Sequence, residues 1–323
     1  MSTYNKTEII KISLWIFFIA ISQIVFSQQL PQFTHYLYNT TAINPAYAGS
    51  KEALSIISLN RSQWVGVDNA PETYTFSSHV PLRDNEMGIG MSFIQDQIGV
   101  ETFSEIYADY AYTIQTSRQN RLSFGIKVGF ASYNLDPLFL NDPSVATDPY
   151  FANFSKLWTP NVGIGIYYRS QNKWFVGISS PKLFSSYLRE SFQQRNINDF
   201  TPERAGYYLI GGAIVELNRS IKFRPSILTK TTNGSQLSFD LTSTFFFNED
   251  AFSIGASYRF SDASDGFGFF GDVKALPFLR IGYSYDPPFF NNISALSSGT
   301  HELILSFELF KEFFRSCGCK LYF

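Results

Sequence analysis

Residues 252–260 read FSIGASYRF, and this short stretch shows the pattern that decides the fold. Apolar side chains stand at every second position, and serine, glycine or arginine occupies the positions between them. Such a period of two residues indicates a β-strand with one apolar and one polar face. The same alternation recurs at 122–130, 279–286 and 303–309.

About fourteen segments of this kind follow one another along the chain. Each is close to the roughly 9–11 residues that a tilted transmembrane strand needs. No amphipathic helix pattern interrupts them, which argues against an alternating α/β fold. The segments lie near 53–64, 72–80, 87–95, 102–115, 121–133, 157–168, 173–182, 205–216, 221–230, 235–247, 251–260, 266–274, 278–286 and 300–313.

The connections between these segments alternate in length. Short polar turns at 83–85, 117–119 and 170–172 alternate with longer connections that include 133–156 and 183–204. Transmembrane barrels have short periplasmic turns and longer outer loops, and a closed sheet satisfies its backbone hydrogen bonds inside lipid. The sequence therefore predicts an all-β fold, a transmembrane outer-membrane β-barrel of about 14 antiparallel strands. A soluble sandwich is the alternative, but so many aromatic residues on one face would make it aggregate.

The composition agrees with a sheet embedded in a membrane. Charged residues make up 16% of the 323 residues, and the net charge is −2. Ordinary soluble domains contain about 25% charged residues. The near-neutral charge argues against a nucleic-acid partner, and an aromatic content of 18% argues against disorder.

The N-terminus has the features of an export signal. Lys6 and Lys11 flank the start of an apolar stretch that runs to Phe26, and the small residue Ser27 stands at the expected cleavage site. An uncleaved membrane anchor is the alternative. The leader and the barrel pattern together predict the outer membrane of a Gram-negative bacterium. We divide the chain into a signal peptide at 1–27, an N-terminal periplasmic or barrel-mouth segment at 28–52, the barrel at 53–313 and a tail at 314–323.

The residues give little support to an enzyme. The three histidines form no zinc-protease motif, and neither a nucleophile elbow nor a phosphate-binding loop is present. His79, near Ser77 and Ser78, is the one candidate for nucleophilic catalysis. In the 134–156 loop, Asp136 and Asp142 each precede a proline, which suits turns better than a Ca²⁺ site. We expect no catalytic residue, no cofactor and no metal site.

Two segments are more specific than barrel scaffolding requires. The first contains QFTHYLYN at 32–39 and INPAYAG at 43–49, before the first strand. The second contains RSQWVGV at 61–67 and APETYTF at 70–76, around the first outer loop.

These segments resemble the PorP/SprF family of type IX secretion system membrane proteins, found in Bacteroidota. The stretches GIGMSFIQDQIG at 88–99, DPYFAN at 148–153 and NVGIGIYY at 161–168 match the family as well, as does the aromatic ending LYF. The resemblance covers nearly the whole chain after the leader.

The resemblance implies an outer-membrane barrel, surrounded by the lipid bilayer, that works with the components of the type IX secretion machinery. Some members belong to the core apparatus. Others promote the export of particular cargo proteins, including large gliding adhesins, or hold them at the cell surface through a C-terminal sorting domain. We expect protein–protein contact without catalysis. A passive outer-membrane channel or a fatty-acid-type transporter is the alternative function.

The two specific segments supply our candidates for partner binding. As a hypothesis, the opening at 32–49 docks on periplasmic machinery, and the long loops at 134–156, 183–204 and 287–299 meet the cargo. The candidate residues are Tyr36, Tyr38, Asn39, Asn44, Pro45, Ala46, Tyr47, Gly49, Arg61, Gln63 and Trp64.

Overall fold

The computed structural model shows one continuous antiparallel sheet and three short helices. It describes residues 33–51, 53–82, 86–146, 157–170, 173–183, 205–232, 237–260, 266–288 and 296–309, so the leader at 1–27 and the tail at 314–323 lie outside the described residues. The strands are β1 (Leu54–Ser62), β2 (Glu72–Leu82), β3 (Met87–Ile98), β4 (Glu101–Gln115), β5 (Asn120–Leu135), β6 (Leu157–Ser170), β7 (Trp174–Lys182), β8 (Gly206–Ala213), β9 (Val215–Glu216), β10 (Ile221–Thr232), β11 (Ser238–Phe247), β12 (Phe252–Phe260), β13 (Gly266–Leu276), β14 (Leu279–Asp286) and β15 (Thr300–Leu309). The helices are α1 (Thr40–Ile43), α2 (Pro137–Leu140) and α3 (Pro143–Ala146).

The sheet closes on itself into a barrel. β1 pairs with the last strand, β15, as well as with β2, and each later strand pairs with its neighbours along the chain. β8 and β9 pair with β10 in one constant register, so they form a single barrel strand that is interrupted at Ile214. The wall therefore has fourteen antiparallel strands, and the predicted fold class is confirmed.

Pro225 of β10 lies opposite the interruption between β8 and β9. The pairs Phe223 with Val215 and Ser226 with Gly212 bracket Pro225 on this side. Because proline has no backbone N–H to donate, it interrupts the ladder of hydrogen bonds while the register of the two strands stays the same.

The two faces of the wall differ in chemistry. The outward side chains are mostly apolar and exposed, for example Ile126 at 52%, Ile164 at 50% and Phe269 at 55%. The inward face carries glycine and buried serine, threonine and charged residues. An apolar outer band around a polar lumen is the arrangement of a transmembrane barrel, in which lipid covers the apolar side chains.

The connections differ between the two ends of the barrel. Short turns at 116–119, 217–220 and 248–251 join strands at one end, which we call the short-turn end. The opposite, long-loop end has connections such as 136–156 and 183–205, although Gly99 and Val100 alone join β3 to β4 there. Since transmembrane barrels have short periplasmic turns, we expect the short-turn end to face the periplasm.

Asp136 and Asp142 cap the two short helices of the 136–156 loop. The N–H of Leu138 donates to Asp136 Oδ1 at 2.8 Å, and the N–H of Ser144 donates to Asp142 Oδ1 at 2.9 Å. Hydrogen bonds from the hydroxyl and the N–H of Ser144 lower the pKa of the Asp142 carboxyl below its usual value. Both carboxylates therefore have a local role in turn formation. Within the described ranges, no helix combines the length and the apolar character needed to span a bilayer.

The lumen of the barrel is filled by the N-terminal part of the chain. Residues 33–51, which we call the plug, lie inside the barrel and contain α1 and a single 3₁₀ turn at Pro45–Tyr47. The buried apolar core of the protein lies where the plug meets the wall. This core consists of Phe33, Tyr36, Ile43, Ala46, Tyr47, Ile57, Leu59, Tyr167, Phe175, Ile210, Leu228 and Ile304.

The lipid-facing assignment is tested by Ile164→Arg. Ile164 lies in the middle of β6, beside Ile126 of β5, and both side chains point outward. An arginine at the bilayer midplane of a barrel costs about 2–4 kcal/mol. We expect a loss of that size in the free energy of unfolding, measured by urea titration of the barrel folded into lipid vesicles.

Leu138→Arg is the control for this substitution. Leu138 is 82% exposed and lies in α2, outside the sheet. An equal loss of stability in both variants would contradict a lipid-facing position for Ile164.

Candidate functional site

The plug runs through the whole length of the lumen. Its first residues contact Glu302, near the start of β15 at the long-loop end. Its last residue, Lys51, donates from Nζ to Glu308 Oε1 at 3.0 Å, near the other end of β15. The chain therefore passes from the long-loop end to the short-turn end before it enters β1.

The carboxylate of Glu302 holds the start of the plug. It accepts from the N–H of Thr34 at 3.0 Å and from the N–H of His35 at 2.8 Å, and His35 Nδ1 lies 2.7 Å from Oε1. The side chains of Glu302 and His35 are both fully buried. A buried carboxylate is stable only when it is paired and hydrogen-bonded, and the plug supplies three of these contacts.

Arg61 connects the start of the plug to two wall carboxylates. Its Nη1 donates to Glu302 Oε2 at 3.2 Å and to Thr34 Oγ1 at 3.3 Å, and its Nη2 donates to Asp286 Oδ2 at 3.1 Å. Thr34 Oγ1 also lies 3.1 Å from Asp286 Oδ2. The segment at 32–39 and the segment at 61–67 thus meet in one buried ionic cluster.

A second buried cation lies under the middle of the plug. Lys127 Nζ lies 2.8 Å from Asp109 Oδ1, and both side chains are fully buried. The same amine donates to the carbonyl oxygen of Thr41 and to Ser92 Oγ, each at 3.3 Å. The end of α1 is therefore attached to the wall through a carbonyl that its own helix leaves free.

Asn44 attaches the INPAYAG segment to the backbone of the wall. Its Nδ2 donates to the carbonyl oxygen of Ile166 at 3.0 Å, and its Oδ1 accepts from the N–H of Ala46 at 2.9 Å. Ser179 Oγ donates to the carbonyl oxygen of Ile43 at 3.0 Å. These bonds fix the 3₁₀ turn that follows.

Glycines in the wall let the plug approach. A Cβ on Gly125 would lie 2.1 Å from Ala46 N, and a Cβ on Gly165 would lie 2.1 Å from Asn44 Oδ1. A Cβ on Gly88 would lie 2.1 Å from the carbonyl oxygen of Ala48. Only glycine permits such a close approach of the plug to the wall, which gives the Gly-Ile-Gly stretches at 88–90 and 163–165 a packing role.

Tyr47 and His79 complete the contact near the short-turn end. The ring of Tyr47 packs edge-on against His79 and against Tyr167, with centroids 5.4 Å apart in both cases. The N–H of Gly49, which has a φ of +72°, donates to His79 Nδ1 at 3.2 Å. His79 therefore binds the plug, which gives this histidine a structural role.

The predicted partner-binding residues divide between plug, lumen and rim. Arg61 points into the lumen, whereas Gln63 and Trp64 lie in the loop after β1, where the N–H of Trp64 donates to Thr300 Oγ1 at 3.3 Å. The side chains of the plug candidates face the wall of the barrel. The hypothesis that these residues bind a partner directly stays a prediction. The plug candidates are Tyr36, Tyr38, Asn39, Asn44, Pro45, Ala46, Tyr47 and Gly49.

Sequence reasoning missed the wall residues that receive the plug. Glu302, Asp286, Lys127 and Gly125 lie on the polar faces of strands that are far from residues 33–51 in the chain. The one available signal was an ionisable residue in a strand interior, since such a residue in a barrel needs a partner in the lumen.

The described part of the lumen includes two recesses beside the plug. Across the described ranges, no three His, Cys, Asp or Glu side chains come together as a metal site would require. Both recesses lie at the long-loop end. One is lined by residues that include Phe33, Tyr36 and Lys230, and the other by residues that include Arg61 and Arg259.

Gly125→Ala tests how the plug closes the lumen. Its Cβ would collide with the backbone at Ala46, so we expect the 3₁₀ turn to leave the wall. In planar lipid bilayers the variant should conduct ions at a level well above that of the unaltered barrel.

The matched control is Gly266→Ala, where an added Cβ would meet no atom within 4 Å. It should conduct like the unaltered barrel. If a folded Gly125→Ala barrel, identified by its heat-modifiable migration on gels, conducts no more than this control, the plug does not close the lumen through this contact.

Glu302→Gln tests the buried ionic cluster. Removing one partner of a buried ion pair leaves Arg61 undercompensated and costs about 3–5 kcal/mol. Glu308→Gln is the comparison, because the Glu308 side chain is 31% exposed and its pair with Lys51 is partly solvated. Such pairs contribute at most about 1 kcal/mol. Urea unfolding followed by tryptophan fluorescence should separate the two variants, and equal losses would contradict the role of Glu302.

Solved structures similar to this chain include a porin and a FadL homologue. A triple mutant of the Rhodopseudomonas blastica porin aligns over 80% of this chain and 99% of its own, with 8% identity and a TM-score of 0.35. A FadL homologue from Pseudomonas aeruginosa aligns over 83% of this chain and 93% of its own, with 11% identity and a TM-score of 0.42. Both similarities are too low to carry a functional argument. No curated protein matches the chain.

The sequence profile of a family described as type IX secretion system membrane protein PorP/SprF matches residues 25–307. The match spans the plug and nearly the whole barrel wall, including both segments on which the resemblance rests. The chain therefore belongs to the PorP/SprF family of type IX secretion system membrane proteins.

Proposed function

We propose that this protein is an outer-membrane component of the type IX secretion system that aids the export or the surface attachment of cargo proteins. It acts by protein–protein contact and without catalysis. Family membership supports the link to type IX secretion, and the apolar outer band supports residence in a bilayer.

The filled lumen is the observation that carries the contact mechanism. The plug contacts the wall from Glu302 at one end to Glu308 at the other, and buried ion pairs and close glycine contacts hold it between them. We infer that cargo does not pass through the lumen, because the plug extends from one end of it to the other. In this proposal the barrel therefore presents its two rims to other proteins. The plug inside the lumen gives those rims a fixed shape.

The two rims suit different partners. The long-loop end faces the cell exterior, where the loops at 136–156, 183–205 and 287–299 are available to exported cargo with a C-terminal sorting domain, gliding adhesins among them. The short-turn end faces the periplasm and the machinery components. Both assignments follow from the orientation that we infer for the barrel. They go beyond the family description, which names only a membrane protein of the type IX secretion system.

A deletion strain tests the proposed function. We expect the strain to lose surface display of one or more type IX cargo proteins, and to regain it when the gene is restored. Mass spectrometry of surface-exposed and secreted proteins measures this. Unchanged display of every type IX cargo would contradict the proposal.

Liposome swelling distinguishes the alternative function. A plugged barrel should admit small sugars no faster than protein-free liposomes do, since the plug occupies the lumen. Rapid solute entry through the unaltered barrel, together with normal cargo display in the deletion strain, would instead support a passive channel.

A further inference from the structure

The charges at the short-turn end are distributed unevenly around the barrel. One half of this rim consists of the three neighbouring connections from β4 to β5, β6 to β7 and β9 to β10. Its described residues at 113–122, 168–170, 173–176 and 213–224 carry seven cationic side chains and a single carboxylate, Glu216. We call this half the basic rim. Its cations are Arg118, Arg121, Arg169, Lys173, Arg219, Lys222 and Arg224.

The opposite half of the rim has the reverse balance. Its described residues at 86, 51, 247–252, 272–280 and 306–309 carry five carboxylates and three cations. The whole chain has a net charge of −2, so the positive sector is a local feature of one side of the barrel. Among the described residues of this rim, positive charge therefore predominates on one side of the barrel.

Several of these cations point toward the mouth of the lumen. Arg121 of β5 pairs directly with Arg169 of β6, and Arg169 is buried on the lumen side together with Tyr167. Lys222 stands on the same face of β10 as the buried Arg224. Lys222 Nζ lies 3.3 Å from Glu216 Oε1, so the single carboxylate of this half pairs with one of its seven cations. The described residues of the basic rim therefore keep an excess of positive charge.

Three further cations stand at the tips of the turns. Arg118, Lys173 and Arg219 are exposed, each in a different connection. They lie beyond the ends of the strands, on the side of the barrel that faces away from the bilayer core. The position of the turn tips favours a soluble partner over the headgroups of the surrounding lipid.

We propose that the basic rim docks an acidic face of a soluble periplasmic component of the type IX machinery. This inference deepens the proposed function and rests on it, since it names the chemistry of the machinery partner. Behind this rim the wall packs on the plug: Tyr47 packs on Tyr167, and Tyr167 stacks on Phe175, the cross-strand neighbour of Arg169.

The experiment measures binding of purified barrel, in nanodiscs of zwitterionic lipid, to each soluble periplasmic component of the type IX machinery, purified singly. We expect one component to bind with a Kd that rises as salt is added, because screening weakens attraction between exposed charges. The triple variant R118E, K173E and R219E should raise that Kd at least tenfold. These turn-tip residues lie outside the plug and the strands, so the barrel should fold, as heat-modifiable migration on gels will verify.

Lys173→Glu and Lys274→Glu form a matched pair of single variants. Both replace an exposed lysine near the short-turn end by glutamate, but Lys274 lies in β13 on the opposite half of the rim. We expect Lys173→Glu to weaken binding at least threefold and Lys274→Glu to change it less than twofold. Equal effects of the two substitutions would overturn the proposal.

Two other outcomes would also overturn it. One is the absence of binding by any soluble component. The other is binding of the barrel only to vesicles that contain anionic phospholipid, which would assign the basic rim to lipid. If the deletion strain loses cargo display while the triple variant restores it fully, the proposed function stands and this inference fails.

Discussion

A sheet of fourteen strands closes around a lumen that its own inward side chains do not fill. Eight strands already give an interior just wide enough for side chains to fill, and the diameter grows with strand number. Many inward side chains here are also small, since glycine and serine recur on that face. The remaining space is occupied by residues 33–51, and the apolar core of the protein is the contact between this segment and the wall. The closed barrel therefore needs the plug, because the side chains of the wall leave space in the lumen that the plug occupies.

Polar contacts hold the plug in addition to the apolar core, which follows from the chemistry of the lumen. The outward face must be apolar because lipid surrounds it, so charged side chains of the strands point inward. Once inside they need partners, and the plug supplies them through backbone N–H groups at Thr34 and His35 and a carbonyl at Thr41. Within the wall itself, Arg61 pairs with the carboxylate of Glu302, and Lys127 pairs with that of Asp109. The plug is therefore specified by directional bonds in addition to shape.

The same arrangement separates the tasks of the molecule. The outer face meets lipid, the lumen is occupied by the plug, and the rims are the surfaces that remain for other proteins. Among the described residues, the cations of the short-turn end lie mostly on the side where Arg121 pairs with Arg169 across the strands. In the function that we propose, the barrel therefore acts by contact at its rims.

The sequence by itself determined the wall. Alternation at 87–95 predicted the strand observed at Met87–Ile98, and alternation at 252–260 predicted the strand observed there, because a period of two is a local consequence of having lipid on one side and a polar lumen on the other. The closing pair, β1 with β15, and the place of the plug were decided only by the tertiary structure. Thr34 and Glu302 lie 268 residues apart, and neither residue carries a local signal of the other. The need for glycine at position 125 likewise depends on the backbone of Ala46, which approaches it only after the sheet has closed around the plug.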